Sequence, residues 1–234
     1  MAQKPIFTAD TFQFFRDLSR NNRKEWMDVN RERYRAHVVE PFRQLLDRLG
    51  PAALRLNPHF DISGRTGTNF SRINRDIRFA RDKSPYRTQM YLLFSDERSL
   101  ADPADAAAGN GELYVGLTTD AVTVGFRIYG DRKSWLGRMA APRAAEQTKW
   151  LKRQVPRLRR KYESYWYSVE KGEWKKNSGW PTQPEDWKRI RGWIVRRKMK
   201  PAAATRADFP AQIERTFRGL LPLYHFTSSL GWKP

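Results

Sequence analysis

Between Arg72 and Arg87 sixteen residues carry six cations and two carboxylates. Arginine offers a planar fork that grips phosphate or carboxylate through two bonds, and lysine adds a mobile point charge. Arg72, Arg75, Arg78, Lys83 and Arg87, with the hydroxyls of Ser84 and Tyr86, therefore have the residue types of a small oxyanion pocket. In an extended strand Arg72, Asn74, Asp76 and Arg78 share one face, while Ile73, Arg75, Ile77 and Phe79 share the other. Arg75 then falls in the row that should be core, and a buried guanidinium needs a partner: Asp76, Asp82 or a ligand anion. The opposite reading is an internal ion-pair network in which Asp76 and Asp82 absorb the arginines. If the site is catalytic, Asp76 is the candidate general base, with Arg75, Arg78 and Lys83 neutralising a phosphate.

The elements that must position this segment follow from periodicity. Thr8 or Asp10 can cap a first helix bearing Phe12, Phe15 and Leu18, closed by Asn21 and Asn22, residues that tolerate left-handed backbone. A second helix starts near Arg23, and its apolar row, from Trp26 through Val38 and Phe42 to Leu49, runs to Gly50 with Pro41 as a kink or restart. Pro51 to Phe60 reads as loop and short helix. From Thr68 to Tyr129 the period changes to two: Ser84-Pro85 signals a turn, Thr88 to Phe94 a strand, Ser95 to Gly111 a polar loop, and Leu113 to Ile128 a hairpin turning at Thr119-Asp120.

Beyond residue 131 the composition shifts. Residues 1–131 hold 20 Lys/Arg against 17 Asp/Glu, whereas residues 132–234 hold 25 against 8, so nearly all of the net charge of +20 lies in the second part. A field of that sign attracts polyanions, although an arginine-rich composition is also what a GC-rich genome produces. Trp135, Leu136 and Met139, then Pro142 to Tyr162, have helical spacing, with Pro156 as a kink or break. Arg153, Arg157, Arg160 and Lys161 form a stripe on that helix able to track a nucleic-acid backbone, or simply a solvated face. Eight of nine tryptophans follow residue 131, interleaved with cations; this suits base stacking, but tryptophan is more often buried, so one or two ligand-facing rings are the expectation. Tyr165 to Pro184 reads as loop with aromatic anchors, Glu185 to Arg191 as a short helix, Trp193 to Met199 as a strand, and Asp208 caps a last helix carrying Phe209, Ile213 and Phe217.

The pattern Arg72-x-x-Arg75-Asp76-x-Arg78-Phe79-x-x-x-Lys83-x-Pro85-Tyr86 resembles the signature of a bacterial and fungal family, domain of unknown function 2461. Phe12 to Leu18 followed by Asn21 to Trp26 is similar to that family's opening helix pair, Tyr114 and Gly125 to its hairpin, and Pro222-Leu223 to its closing helix. The Trp-rich stretch and Gly192 to Arg197 depart from it. The resemblance implies an α+β fold and no established activity; it carries Arg72, Arg75, Asp76, Arg78, Lys83 and Tyr86 over as motif positions without roles.

The absence of cysteine excludes disulfides, thiolate metal sites and cysteine nucleophiles, and His37, His59 and His225 are not spaced as metal ligands. No nucleophile elbow, Walker loop or dinucleotide fingerprint is present; Gly64 to Gly67 is short enough to be a loop before the next strand. No cofactor is therefore expected. Neither a secretory start nor a membrane-length apolar run is present, which points to a cytoplasmic protein. The expected fold is α+β in a single domain over 1–234: two helices within 8–50, a central antiparallel sheet of three to five strands within 68–130, and C-terminal helices in the basic part, 131–234. The expected function is binding of an anionic, phosphate-bearing ligand, nucleic acid included, through the Arg72 to Tyr86 motif. Its rivals are a small enzyme acting on a phosphorylated or nucleotide substrate, and a structural or protein-interaction domain without a small ligand. Nothing in the sequence speaks to oligomeric state.

Overall fold

The computed structural model describes residues 4–96, 111–129 and 144–227. Helix α1 is Ala9–Arg20; its N-cap Thr8 accepts from the Asp10 amide, while the Thr8 amide donates to Thr11 Oγ1, a reciprocal cap. Asn21 ends α1 at φ −132°, outside the left-handed region, with its N–H donating to the carbonyls of Asp17 and Leu18. The second expected helix is α2 (Lys24–Val29), α3 (Arg31–Tyr34) and α4 (Glu40–Leu56), with the last two joined by a π-helical stretch, Arg35–Val39. Pro41 has no N–H for the carbonyl one turn back. The backbone widens by one residue there, the Glu40 amide donates to the Arg35 carbonyl, and α4 starts with Pro41 in its first turn. The helix also continues past Gly50 and Pro51, because Leu45, Leu46, Leu49, Ala52 and Ala53 keep one buried stripe running to its end.

Strands β1 (Gln89–Phe94), β2 (Glu112–Thr118), β3 (Val122–Tyr129), β4 (Glu163–Glu170), β5 (Glu173–Ser178) and β6 (Gly192–Met199) make a six-stranded antiparallel sheet, ordered β1-β2-β3-β6-β4-β5. The remaining helices are α5 (Ala144–Leu158), α6 (Pro184–Arg189) and α7 (Phe209–Thr227). The architecture is α+β, with more strands than the three to five expected and with half of them beyond residue 131. The stretch read as loop, Tyr165 to Pro184, is largely the hairpin β4–β5. Its two-residue turn has Lys171 at φ 50° and Gly172 at φ 83°, the paired positive values of a type I′ turn, whose twist matches that of the strands it joins. Aromatic residues on both faces of β4 hid its period of two. The segment Arg72–Phe79 is in turn not a regular strand; it holds only the isolated bridge Asn74 to Tyr86. The expected helix of Trp135 to Met139, the first turn at Pro142 and most of the polar loop before Gly111 lie outside the described residues.

The chain divides into two compact units. The first comprises residues 1–94, 114–123 and 199–215, and the second residues 95–113, 124–198 and 216–234. In the first, Phe7 sits 5.2 Å from Phe42 and 6.2 Å from Phe209, uniting the N-terminal coil, α4 and the start of α7 around a phenylalanine-rich core. In the second, Trp193 is fully buried among Phe126, Trp180 and Trp187 at 5.7–6.1 Å, and Phe226 stacks on Trp150 at 4.3 Å. Among the described tryptophans Trp166, Trp187 and Trp193 are core, Trp26, Trp150 and Trp180 are half-buried, and Trp174 is exposed.

Candidate functional site

The motif lies wholly in the first unit as two arms joined by a turn. The first arm, from Arg72 to Ile77, keeps the expected alternation: Arg72, Asn74 and Asp76 face solvent, while Ile73, Arg75 and Ile77 are half-buried. The alternation then fails. The Ala80 amide donates to the Ile77 carbonyl, closing a turn, and Phe79 is 95% exposed instead of joining the core row. The return arm docks through Asn22, whose side chain accepts from the Tyr86 amide at 3.0 Å and donates to the Tyr86 carbonyl at 2.8 Å. Asn22 thereby imitates a neighbouring strand, and α1 positions the motif. Between the arms, the Arg75 amide donates to Pro85 and the Arg87 amide to Ile73.

The ionic partners divide the cations into two groups. Arg75 pairs with Asp82 at 2.5 Å and donates to the Ser84 carbonyl, so the half-buried guanidinium has the carboxylate its position demands. Asp82 also accepts from the Ser84 amide; that bond, with Arg75, brings its carboxyl down to about 2. Arg78 grips Asp76 in a bidentate pair, 3.0 and 2.7 Å, which lowers the Asp76 pKa and makes it a weaker base. Lys83 donates to the carbonyls of Ile77 and Arg78 and closes the tip. By contrast Arg72 and Arg87 have no carboxylate within ion-pair distance among the described residues.

Those two arginines lie in different clefts, so the motif does not gather into the single pocket expected of it. Arg87 joins Ser19, Asn22, Arg75, Ser84 and Thr88 around a cleft of about 400 Å³, which also includes the Asp82 carboxylate and Tyr86. Tyr86 is 8% exposed and near Arg31, so it contributes more to packing than to an open surface. Arg72 lines a second cleft, of about 260 Å³, with Arg43, Tyr34, Thr66, Ser71 and Asn74. Among the described residues no carboxylate lines this second cleft, and Arg43 too has no carboxylate partner.

Each wall of the second cleft has a local cause. The π-helical stretch ends at Val39, and Tyr34, Val39 and Arg43 all reach the cleft; widened helical turns of this kind recur at functional sites. Burial pushes the Tyr34 hydroxyl up to about 12, against the opposing pull of Arg31, so it remains a donor at neutral pH. Gly67, at φ 93°, takes a left-handed backbone that favours glycine, and it borders the Arg72 guanidinium. The loop before it is anchored by buried Asn69, whose side chain donates to the carbonyls of Asp61 and Leu93 and accepts from the Gly64 amide. Burial works to raise the Asp61 pKa, but bonds from Ser63 and Arg65 outweigh it and the carboxyl stays lowered.

Sequence reasoning missed Arg43, because a single arginine on an amphipathic helix has no local signal. Asp76, the candidate base, lines neither cleft. In the second unit Arg153 and Arg157 are exposed on α5, but α5 ends at Leu158, so exposed Arg160 and Lys161 lie beyond the helix and leave its stripe. Among the described residues no group of three His, Asp or Glu could hold a metal ion, and no helix is long and apolar enough to cross a membrane. No curated protein matches the chain. A family model does match over residues 10–226, which span the motif, both clefts and all six strands: the chain belongs to the family described as conserved hypothetical protein DUF2461.

Proposed function

We propose that the protein binds a phosphate-bearing ligand, and that the anion sits in the cleft between Arg43 and Arg72. The observation that supports this is the pairing pattern. Two arginines from separate segments converge on one 260 Å³ cleft with no carboxylate in its lining, alongside the hydroxyls of Tyr34, Thr66 and Ser71. Guanidinium and hydroxyl donors are the chemistry that recognises phosphate oxygens. In this reading Arg75, Arg78 and Lys83 are builders: their carboxylate and carbonyl partners hold the two arms, and Arg72 is the motif's contribution to the ligand. The volume accommodates a phosphate with a small appended group better than a dinucleotide. The enzymatic alternative has less support, because Asp76 is held by Arg78 and is not among the residues that line the cleft.

The test is a thermal-shift comparison of inorganic phosphate, sugar phosphates and nucleotides against sodium chloride at matched ionic strength. A ligand of the folded state raises the melting temperature by mass action. Arg43→Glu and Arg72→Glu are expected to lose the phosphate-specific shift, while Arg78→Glu, which alters the tip, keeps it. A shift that survives both cleft substitutions, or no shift with any phosphate, sinks the reading.

A further inference from the structure

Strand register sorts the second unit's side chains onto two faces. Trp166 pairs with Trp193 on one face; both are buried, as is Ser168. On the other, Tyr167 lies between Lys176 of β5 and Gly192 of β6, Val169 opposite Trp174, and Tyr165 opposite Ile194. Tyr129 of β3 lies over Gly192, where a Cβ would come 2.6 Å from its ring, so the missing side chain makes room for the ring. The result is a row of aromatic rings, Tyr129, Tyr167 and Trp174, with centroids 6.2 and 5.9 Å apart and Tyr165 5.9 Å to the side.

This row is open to solvent where it counts: Trp174 is 58% and Tyr129 43% exposed. The outward face of an antiparallel sheet is ordinarily polar, and rings of this size are ordinarily buried. Cations flank the row. Lys176 Nζ lies 4.0 Å and Arg196 Cζ 5.1 Å from the Tyr165 ring centroid, and Lys198 follows on the same face of β6. The acidic side chains on this face are engaged: Glu163 by Arg196, and Glu112 of β2 by Arg127, which shares its face of β3 with Tyr129. The stretch of sequence from 132 to 234 carries 25 Lys/Arg against 8 Asp/Glu.

We propose that this face binds single-stranded nucleic acid, with bases stacked on Tyr129, Tyr167 and Trp174 and the backbone led past Lys176 and Lys198. Tyr129 and Tyr167 are tilted by 31° and Trp174 stands edge-on to Tyr167 at 74°, so each ring offers its own face to one base; exposed rings beside cations are the means by which proteins hold single strands without reading sequence. A duplex hides its base faces and would meet only the cations. The inference is independent of the Arg43–Arg72 cleft.

The experiment is fluorescence anisotropy with labelled single-stranded RNA and DNA of roughly 12 nucleotides, against a duplex of equal length and with polyphosphate as competitor. Single strands of either sugar are expected to bind more tightly than the duplex. Trp174→Ala and Tyr129→Ala should each weaken binding roughly ten-fold, and Trp174→Phe should retain most of it. Lys176→Glu should weaken binding at low salt and flatten its salt dependence. Because Trp174 is exposed, its alanine variant is expected to melt like the parent protein, and a melt of each variant verifies this. No single-strand binding overturns the proposal. So does wild-type binding by a folded Trp174→Ala, Tyr129→Ala double variant, equal displacement by polyphosphate at matched charge, or loss of binding in Arg72→Glu alone.

Discussion

Two exposed arms of this protein, the Arg72–Arg87 loop in the first unit and the β4–β5 hairpin in the second, look alike in sequence. Each mixes cations with carboxylates, six against two in the loop and three against three in the hairpin, and each exposes an aromatic ring, Phe79 at 95% and Trp174 at 58%. Their electrostatics differ. In the loop, Asp76, Asp82 and two backbone carbonyls occupy Arg75, Arg78 and Lys83, so the cations hold the loop together. In the hairpin, Glu170 takes Lys175 and Arg189, but Lys176 rests against the Tyr165 ring with no carboxylate. Charge density in a sequence therefore does not locate an anion site; what matters is which cations the fold leaves unneutralised. By that criterion Arg43, Arg72, Arg87 and Lys176 stand apart from Arg75 and Arg78.

The comparison is most directly broken by tryptophan truncation. Trp193→Ala, in the core, is expected to cost about 3–5 kcal/mol, and Trp174→Ala, on the hairpin, within about 0.5 kcal/mol. Equal losses in denaturant unfolding would mean that the two faces of β4 are not differently packed. Asn22→Ala leaves the Tyr86 amide and carbonyl without their partner and is expected to cost about 1–2 kcal/mol. It should also raise amide exchange across Arg72–Arg87; unchanged exchange would show that the loop holds itself together without α1.

Two smaller effects are read from pH. The Tyr34 hydroxyl stands at about 12 against an ordinary 10.0, so the folded state resists its ionisation. That contribution to stability is complete below about pH 10 and is lost as pH rises towards 12. Tyr34→Phe should flatten the alkaline fall in melting temperature, and an identical fall in both proteins would contradict the burial of this ring. Asp82 stands at about 2 against an ordinary 3.8, so its contribution is present above about pH 4 and fades as pH drops towards 2. Asp82→Asn should lose that acid-range dependence, by a small amount because the pair is exposed to solvent.

Much of the first unit was legible. Thr8 capped α1, Thr119-Asp120 turned the hairpin, and the alternation from Arg72 to Ile77 had the right phase, since caps, turns and periodicity are set by near neighbours. Phe79 was misplaced because a turn closed by the Ala80 amide ended the alternation early. The β4–β5 hairpin was missed because Trp166 is buried on one face, paired with Trp193, which packs on Phe126, Trp180 and Trp187, while Tyr165 and Tyr167 on either side of Trp166 face the other way. Both faces read as aromatic, and only the contacts tell them apart.

The sequence by itself determined the α+β class, the family, the demand that half-buried Arg75 find a carboxylate, and the surplus of positive charge after residue 131. Each follows from residue identity and local spacing. The tertiary structure decided which cations are neutralised, that Arg43 meets Arg72, and which tryptophan faces solvent. Those outcomes depend on Coulombic and packing partners brought together across tens of residues, and no local pattern encodes such distances.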